Sequence, residues 1–227
     1  MRAQLSRPKI VSFSGVDGAG KSTQIQAFTD FLDKAGLTYS LYTFWDDVVA
    51  LSTVRERVSV TVFKGDQGVG SPTNPIRRRD KNVTTWYATA LRFLLYGLDA
   101  MKLAALVRRT DPTKNVVIFD RYLYDELANL PLQGRIARFY IQLLLHCIPA
   151  PDLALLLDAE PESAATRKPE YPLEFVQRNR EAYMRLSRLA GMTVIPPGPI
   201  QQTAQVIREL IDPQVLQPEA ISTGHLA

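Results

Sequence analysis

The sequence predicts an α/β fold with a parallel sheet of five strands flanked by helices. Short apolar segments alternate along the chain with segments whose apolar residues recur at helical spacing, and this alternation is typical of parallel strands joined by crossover helices. A glycine-rich loop separates the first strand from the first helix. The chain has 227 residues, of which 46% are hydrophobic and 22% charged, and this profile fits one globular domain.

The predicted elements follow from the periodicity of the apolar residues. In the first helix, residues 21–35, Ile25, Phe28, Phe31 and Leu32 recur at helical spacing and Gly36 ends the helix. The predicted strands cover residues 9–14, 38–44, 116–119, 153–157 and 192–195. The further predicted helices cover residues 83–109, 135–147, 173–190 and 201–211, with another helical pattern near 48–62.

The loop after the first strand carries the most specific motif of the chain. Residues 15–23 read Gly-Val-Asp-Gly-Ala-Gly-Lys-Ser-Thr and fit the phosphate-binding pattern G-x-x-x-x-G-K-[ST], the P-loop. In such a loop, backbone N–H groups and the N-terminus of the following helix hold phosphate oxygens. Lys21 would contact the β- and γ-phosphates and Ser22 would ligate Mg²⁺, so the predicted cofactors are ATP and Mg²⁺. The residues predicted to bind the nucleotide are Gly15, Gly18, Ala19, Gly20, Lys21, Ser22 and Thr23.

The third predicted strand ends in a carboxylate, Asp120. In a P-loop protein the strand beside the loop often ends in an aspartate that orients Mg²⁺, directly or through water. Asp120 and Ser22 are therefore the predicted metal residues. The alternative is an aspartate that only caps a helix after a core strand.

Three motifs together resemble the thymidylate kinase family. They are the P-loop, then Phe-Asp-Arg-Tyr at 119–122, then Pro-Asp-Leu-Ala-Leu-Leu-Leu-Asp at 151–158, and their order and spacing both match. The resemblance is that of a divergent member and covers about residues 9–210. It implies a P-loop NTPase fold in one kinase domain, residues 1–212, with a short lid at about 159–173. It also implies a cytoplasmic nucleoside monophosphate kinase of nucleotide biosynthesis, with dTMP as the acceptor and dTDP as the product.

The resemblance gives roles to individual residues. Asp17 matches the acid that contacts the sugar hydroxyl of the acceptor, Arg121 matches the arginine that holds the acceptor phosphate, and Asp120 matches the acid associated with Mg²⁺. Arg167, together with Lys168, matches the lid cation that closes over the transferred phosphoryl group, and the alternative is a solvated pair in a loop. The predicted catalytic residues are thus Lys21, Asp17, Arg121 and Arg167.

The lid cation matters because phosphoryl transfer depends on positioning and on neutralising the charge of the equatorial oxygens. Some members of the family carry a basic residue inside the P-loop for this purpose. The corresponding residue here is Gly18, so the charge must come from elsewhere, and the lid is its predicted source.

Two acceptor motifs differ from the family. After the second strand, where the family has Arg-Glu-Pro-Gly-Gly-Thr, residues 44–48 read Phe-Trp-Asp-Asp-Val. In the long helix the family has an aromatic residue that stacks on the base and an arginine four residues later, and the match here is Tyr96 followed by Ala100. Arg92, one turn earlier, is predicted either to replace that arginine or to be a solvated helix residue. The predicted substrate contacts are Asp17, Tyr96, Arg92 and Arg121.

A basic insertion at about residues 64–82 is the third departure. Its charged run, residues 77–81, reads Arg-Arg-Arg-Asp-Lys and is either a clamp for the acceptor phosphate or a solvated loop. Aromatic residues are sparse there, which argues against nucleic acid as a partner. The net charge of +4 suits anionic small substrates equally well.

Asp46 and Asp47, at the end of the second strand, support an alternative function. A carboxylate in this position could act as a general base on a hydroxyl acceptor such as a nucleoside, or it could cap the next helix. A monophosphate acceptor needs no such base, because its attacking oxygen is already anionic. The missing family motifs allow a further alternative, a catalytically silent regulatory protein that binds ATP.

The rest of the sequence bears on location and partners. Cys147, the single cysteine, lies in an apolar run and is predicted to be a buried thiol. No apolar stretch is long enough to span a membrane, so no membrane partner is expected. The family's dimers imply a homodimer through the long helix, and residues 213–227 are predicted to be a flexible tail.

Overall fold

The centre of the fold is a five-stranded sheet in which every strand pairing is parallel. The structure, a computed structural model, describes residues 7–49, 86–130, 134–169 and 171–211. The strands are β1 (Lys9–Ser14), β2 (Tyr39–Thr43), β3 (Val116–Asp120), β4 (Leu153–Leu157) and β5 (Thr193–Ile195). Their order in the sheet is β2-β3-β1-β4-β5, which confirms the predicted fold class.

Helices connect the strands and cover the sheet. A single π-helical turn, Phe44–Val48, follows β2. The described α-helices are α1 (Lys21–Lys34), α2 (Trp86–Arg109), α3 (Leu123–Leu127), α4 (Arg135–Cys147), α5 (Pro161–Arg167), α6 (Leu173–Ala190) and α7 (Ile200–Leu210).

Both faces of the sheet are buried, each in its own hydrophobic cluster. Alternate residues of β3 divide between them: Ile118 packs into one cluster with Phe13 and Phe28, and Phe119 packs into the other with Leu103. All five of these side chains are at most 2% exposed. Each fully buried aromatic or aliphatic side chain of this kind contributes about 1.5–3 kcal/mol. This two-sided burial explains why the strands read as continuous apolar runs.

The structure adds three short elements to those that the periodicity predicted. They are the π-helical turn, α3 and α5, each of five to seven residues. α5 lies within the segment predicted to be the lid, and Pro161 stands in its first turn, where a missing N–H costs nothing. Such short helices escape a periodicity argument because they contain fewer than two full turns.

The prediction that Cys147 is buried is wrong, because this residue is exposed at the end of α4. Ile141 and Leu144 of the same helix face the core. Phe139 and Leu143 point outward, with 69% and 49% of their surfaces exposed. α4 carries apolar side chains on its exposed face as well as on its buried face. The apolar residues around Cys147 in the sequence therefore did not imply that Cys147 is buried.

Several predictions fall outside the described residues. They are most of the helical pattern at 48–62, the basic insertion at about 64–82 and the tail at 213–227. Within the part of the chain that is described, no helix combines the length and the apolar character needed to cross a bilayer.

Candidate active site

The P-loop joins the carboxyl end of β1 to the first residue of α1. Three of its glycines have positive φ angles, 144° at Gly15, 84° at Gly18 and 88° at Gly20. These backbone conformations are costly for any residue with a side chain. Turns that contain left-handed residues form concavities for anions, so the backbone fits the phosphate-binding role.

Two of these glycines also leave no room for a side chain. A Cβ atom at Gly15 would lie 2.5 Å from the carbonyl oxygen of Leu157, and one at Gly18 would lie 2.5 Å from the carbonyl oxygen of Ala164. A Cβ atom at Gly20 would meet nothing within 4 Å. The loop is therefore packed against β4 and α5 on one side and open at Gly20, as a cradle for a polyphosphate requires.

Lys21 is a buried cation held by the loop itself. Its Nζ donates hydrogen bonds to the carbonyl oxygens of Gly15 at 2.8 Å and Val16 at 2.9 Å. Only 7% of the residue is exposed. Burial, and then the charge of Arg121, lower the pKa of Lys21 to about 8, although nearby carboxylates oppose this shift.

This lowered pKa predicts a pH dependence of stability. Folding lowers the pKa of Lys21 from 10.5, so the unfolded chain binds more protons than the folded protein between pH 8 and 10.5. We expect Lys21 to raise the free energy of unfolding by about 3 kcal/mol as the pH rises across this interval, and to add no slope below it. Urea unfolding of the wild type and of Lys21→Met, which does not titrate, isolates the effect. A difference between the two proteins that stays constant with pH would contradict the prediction.

The predicted metal residues lie on α1, directly after the P-loop, and on β3, the strand beside β1. Ser22 and Thr23 are exposed in the first turn of α1. Asp120 ends β3 and pairs in register with Phe13 of β1, so it lies at the same edge of the sheet. Burial raises the pKa of Asp120, and the positive charges of Lys21 and Arg121 oppose this shift.

The structure brings together two of the four residues predicted to contact the acceptor. The Arg121 guanidinium donates a hydrogen bond to the carboxylate of Asp17, within the P-loop. The backbone of Arg121 is left-handed, with a φ angle of 68°, and its N–H donates to the carbonyl oxygen of Phe13 at 2.9 Å. A non-glycine residue in this conformation costs about 1–2 kcal/mol, and such strain is often found at functional sites.

Asp125, which the sequence analysis missed, lies at the centre of this region. Its carboxylate is 2.7 Å from the hydroxyl of Ser14, 2.8 Å from the hydroxyl of Tyr183 and 3.4 Å from Nη1 of Arg121. Arg121 precedes α3 and has a left-handed backbone, so the four-residue spacing is not a helical pairing, and the sequence carried no signal for Asp125. Nothing in the sequence pointed to Tyr183, which α6 brings from 58 residues away.

A second missed pair anchors the segment that contains the predicted lid. Arg180 of α6 forms a two-pronged ion pair with Asp158, with both N–O distances at 2.7 Å. The Asp158 side chain is 7% exposed and also accepts a hydrogen bond from the N–H of Ala159. This pair connects the end of β4 to the middle of α6, the elements that precede and follow α5 in the chain.

The predicted lid cations lie at the end of α5. Arg167 is the last residue of that helix, and its Nε donates to the carbonyl oxygen of Ser163 at 3.1 Å. Arg167 and Lys168 are both exposed. Their catalytic role stays a prediction.

The predicted contacts on the long helix lie further from solvent. Tyr96 is 5% exposed and packs in the hydrophobic core, close to Ala100, which is equally buried. Arg92 is half-buried. The roles of Tyr96 in stacking and of Arg92 in binding stay predictions.

Asp46 and Asp47 both lie in the π-helical turn, but they differ in their contacts. The Asp47 carboxylate accepts a hydrogen bond of 2.7 Å from the N–H of Thr43, the residue that precedes the turn. Asp46 is exposed in the same turn. Of the two carboxylates, Asp46 is therefore the candidate base for the alternative function.

The chain is similar in sequence to several known proteins. No family model matches the chain. The chain is 22% identical over 219 residues to a probable thymidylate kinase of Archaeoglobus fulgidus, a match that spans 89% of this chain and 94% of that protein. It is 28% identical over 188 residues to a probable thymidylate kinase of Thermococcus gammatolerans, spanning 79% of this chain and 83% of that protein.

The fold of this chain is similar to that of solved thymidylate kinase structures. A thymidylate kinase of Candida albicans has a TM-score of 0.61 at 18% identity, covering 93% of this chain and 94% of the other. A thymidylate kinase of Ehrlichia chaffeensis has a TM-score of 0.54 at 18% identity, covering 90% of this chain and 99% of the other. Sequence relatives and solved structures thus agree: the chain is distantly similar in sequence to probable thymidylate kinases, and its fold is similar to that of solved thymidylate kinases.

Proposed function

We propose that this protein is an ATP-dependent kinase that phosphorylates a nucleoside monophosphate, with dTMP as the acceptor and dTDP as the product. The observation that carries the proposal is the ion pair between Arg121 and Asp17, beside the buried lysine of the P-loop. It joins the predicted contacts of the acceptor's phosphate and sugar to the loop that would hold the donor. The names of the sequence relatives support the same activity.

The donor side of the proposed reaction is carried by the P-loop. Its backbone and Lys21 would hold the phosphates of ATP, and Ser22 and Asp120 would hold Mg²⁺. When bound, Mg·ATP supplies the phosphoryl group and a divalent charge that stabilises the transferred oxygens. The burial of Lys21 strengthens its attraction for phosphate, because charges interact more strongly away from bulk water.

The acceptor side depends on Arg121. A planar guanidinium can donate two parallel hydrogen bonds to one phosphate group, which fixes both its distance and its orientation. Asp17 would then accept a hydrogen bond from the sugar hydroxyl, and Tyr96 and Arg92 would contact the rest of the nucleotide. Arg167, with Lys168, would neutralise charge on the transferred group from the side of α5.

A hydroxyl acceptor is the second candidate function, and the exposed carboxylate of Asp46 favours it. A general base at this position would take the proton from a nucleoside hydroxyl. The third candidate is a regulatory protein that binds ATP without catalysis. It is motivated by the absence of the family's Arg-Glu-Pro-Gly-Gly-Thr motif and of its helix arginine.

A coupled assay of ADP release against a panel of acceptors tests the proposal. The panel holds dTMP, dUMP, the other nucleoside monophosphates and the matching nucleosides, and Lys21→Met serves as the blank. We expect turnover on dTMP at about 1 s⁻¹ or faster. Turnover on nucleosides alone, lost in Asp46→Asn, would establish the second candidate instead. Binding of Mg·ATP without any turnover would establish the third.

Arg121→Ala should raise the KM for dTMP by about ten- to a hundredfold, the value of a hydrogen bond to a charged group. The KM for ATP should change little, since the predicted donor contacts come from the P-loop. Arg185→Ala is the matched control, because Arg185 is a half-exposed arginine of α6 that pairs with Glu181. An unchanged KM for dTMP in Arg121→Ala would remove Arg121 from the acceptor site.

A homodimer and a cytoplasmic location stay predictions. Two helices expose apolar side chains on which a second copy could pack. On α2 they are Leu94 and Met101, each 63% exposed, and on α4 they are Ile136, Phe139 and Leu143.

A further inference from the structure

The carboxylate of Asp125 is buried and receives hydrogen bonds from four different groups. One oxygen accepts from the Ser14 hydroxyl at 2.7 Å and from the N–H of Tyr122 at 3.0 Å. The other accepts from the Tyr183 hydroxyl at 2.8 Å and from Nη1 of Arg121 at 3.4 Å. Only 5% of Asp125 is exposed. These donors come from the end of β1, from the start of α3 and from α6, so the carboxylate fixes three elements relative to one another.

Arg121 is held between this carboxylate and a second one. Nη1 faces Asp125 and Nη2 faces Asp17. Asp17 is partly exposed, with 33% of its side chain accessible, whereas the Asp125 side chain is 2% exposed. An acceptor that takes a hydrogen bond from Arg121 or gives one to Asp17 would break the exposed pair first. The contact with Asp125 is the one that can persist when the acceptor is bound.

We propose that Asp125 is a positioning residue, which holds the Arg121 guanidinium in place to receive the acceptor's phosphate and connects that arginine to α6 through Tyr183. The inference rests on the proposed function. The contact with Asp125 also explains how Arg121 keeps its strained backbone, because a left-handed residue needs surrounding contacts to keep one conformation. A purely structural Asp125 would stabilise the same three elements without restraining the Arg121 side chain.

The first test observes the arginine directly and needs no substrate. In protein labelled with ¹⁵N-arginine, NMR measures the rate at which each guanidinium rotates, and Arg121→Lys assigns the Arg121 signal. Arg180, held by both oxygens of Asp158, is an internal reference for a restrained guanidinium. We expect Arg121 of the wild type to rotate as slowly as Arg180. Rotation as fast as that of the exposed Arg188 would overturn the proposal.

Two variants then separate positioning from general stability. Asp125→Asn should accelerate rotation of Arg121 about tenfold or more, because a neutral amide binds guanidinium more weakly than a carboxylate does. Tyr183→Phe removes a different donor from the same carboxylate oxygen, so it should leave Arg121 restrained. Equal rotation rates in the wild type and Asp125→Asn would overturn the proposal. If Asp125→Asn does not fold, Asp17→Asn decides: Arg121 should stay restrained through Asp125 alone, and rotation as fast as that of Arg188 in this variant would overturn the proposal.

The kinetic test compares the two substrates. In Asp125→Asn we expect the KM for dTMP to rise about tenfold, which is the effect of losing one hydrogen bond to a charged group. The KM for ATP should stay unchanged. A lower KM for dTMP would mean that Asp125 acts only by repelling the phosphate, and it would overturn positioning. A wild type with no turnover but with a restrained Arg121 that Asp125→Asn releases would support the positioning contact and contradict only the proposed function.

Discussion

Lys21→Ala should remove nearly all phosphoryl transfer while leaving the protein folded. Loss of one preorganised charge that faces a transferring group costs about a hundred- to a thousandfold in kcat. Lys21 is the buried cation of the P-loop, fixed by two carbonyl oxygens. The effect should appear in kcat more than in the KM for the acceptor, since Lys21 is predicted to contact only the donor.

The fold should survive because the substitution has opposing effects on stability. It removes two hydrogen bonds, but it also removes a cation whose burial lowers its pKa and therefore costs folding energy. Circular dichroism and thermal unfolding check the fold, and the ADP-release assay measures the loss of turnover. Lys34→Ala is the matched control, since Lys34 is an exposed lysine at the other end of α1. Turnover near the wild-type rate in Lys21→Ala would contradict the proposed mechanism.

Gly18→Ala should destabilise the protein by about 2–5 kcal/mol. Part of this is the cost of a left-handed conformation, about 1–2 kcal/mol. The rest is overpacking, about 1–3 kcal/mol, because the new Cβ would lie 2.5 Å from the carbonyl oxygen of Ala164, and a backbone atom cannot move away cheaply. Activity should fall as well, since the displaced backbone belongs to the P-loop.

Gly36→Ala is the control that separates the two costs. Gly36 also has a positive φ angle, 69°, but a Cβ atom there would meet nothing within 4 Å. It ends α1, away from the P-loop. Urea unfolding should therefore show a smaller loss for Gly36→Ala, of about 1–2 kcal/mol, with activity retained. Equal losses in the two variants would mean that the contact with Ala164 carries no energetic weight.

The sequence predicted the framework of this protein well because its strongest signals are local. The P-loop pattern, the apolar strands and the amphipathic helices each depend on residues within one segment. The helix at 135–147 and the strand at 153–157 were predicted with the bounds that the structure shows. The short helices α3 and α5 were missed because their stability comes from tertiary packing rather than from periodicity.

Of the candidate site, the sequence predicted only residues that belong to recognisable motifs. Asp17 and Arg121 were each assigned to the acceptor through a resemblance, without a predicted contact between them, and the structure pairs them. Asp125 and Tyr183 escaped because a buried carboxylate and a tyrosine hydroxyl become partners only when α6 packs against α3. Asp158 and Arg180 escaped for the same reason, since 22 residues separate the two halves of their ion pair.

The close approach of α5 to Gly18 also limits how this protein can change over evolutionary time. A basic residue at position 18 would require α5 to withdraw, and a withdrawn α5 would move Arg167 away from its present place. A side chain at position 18 and α5 in its present place are therefore sterically incompatible.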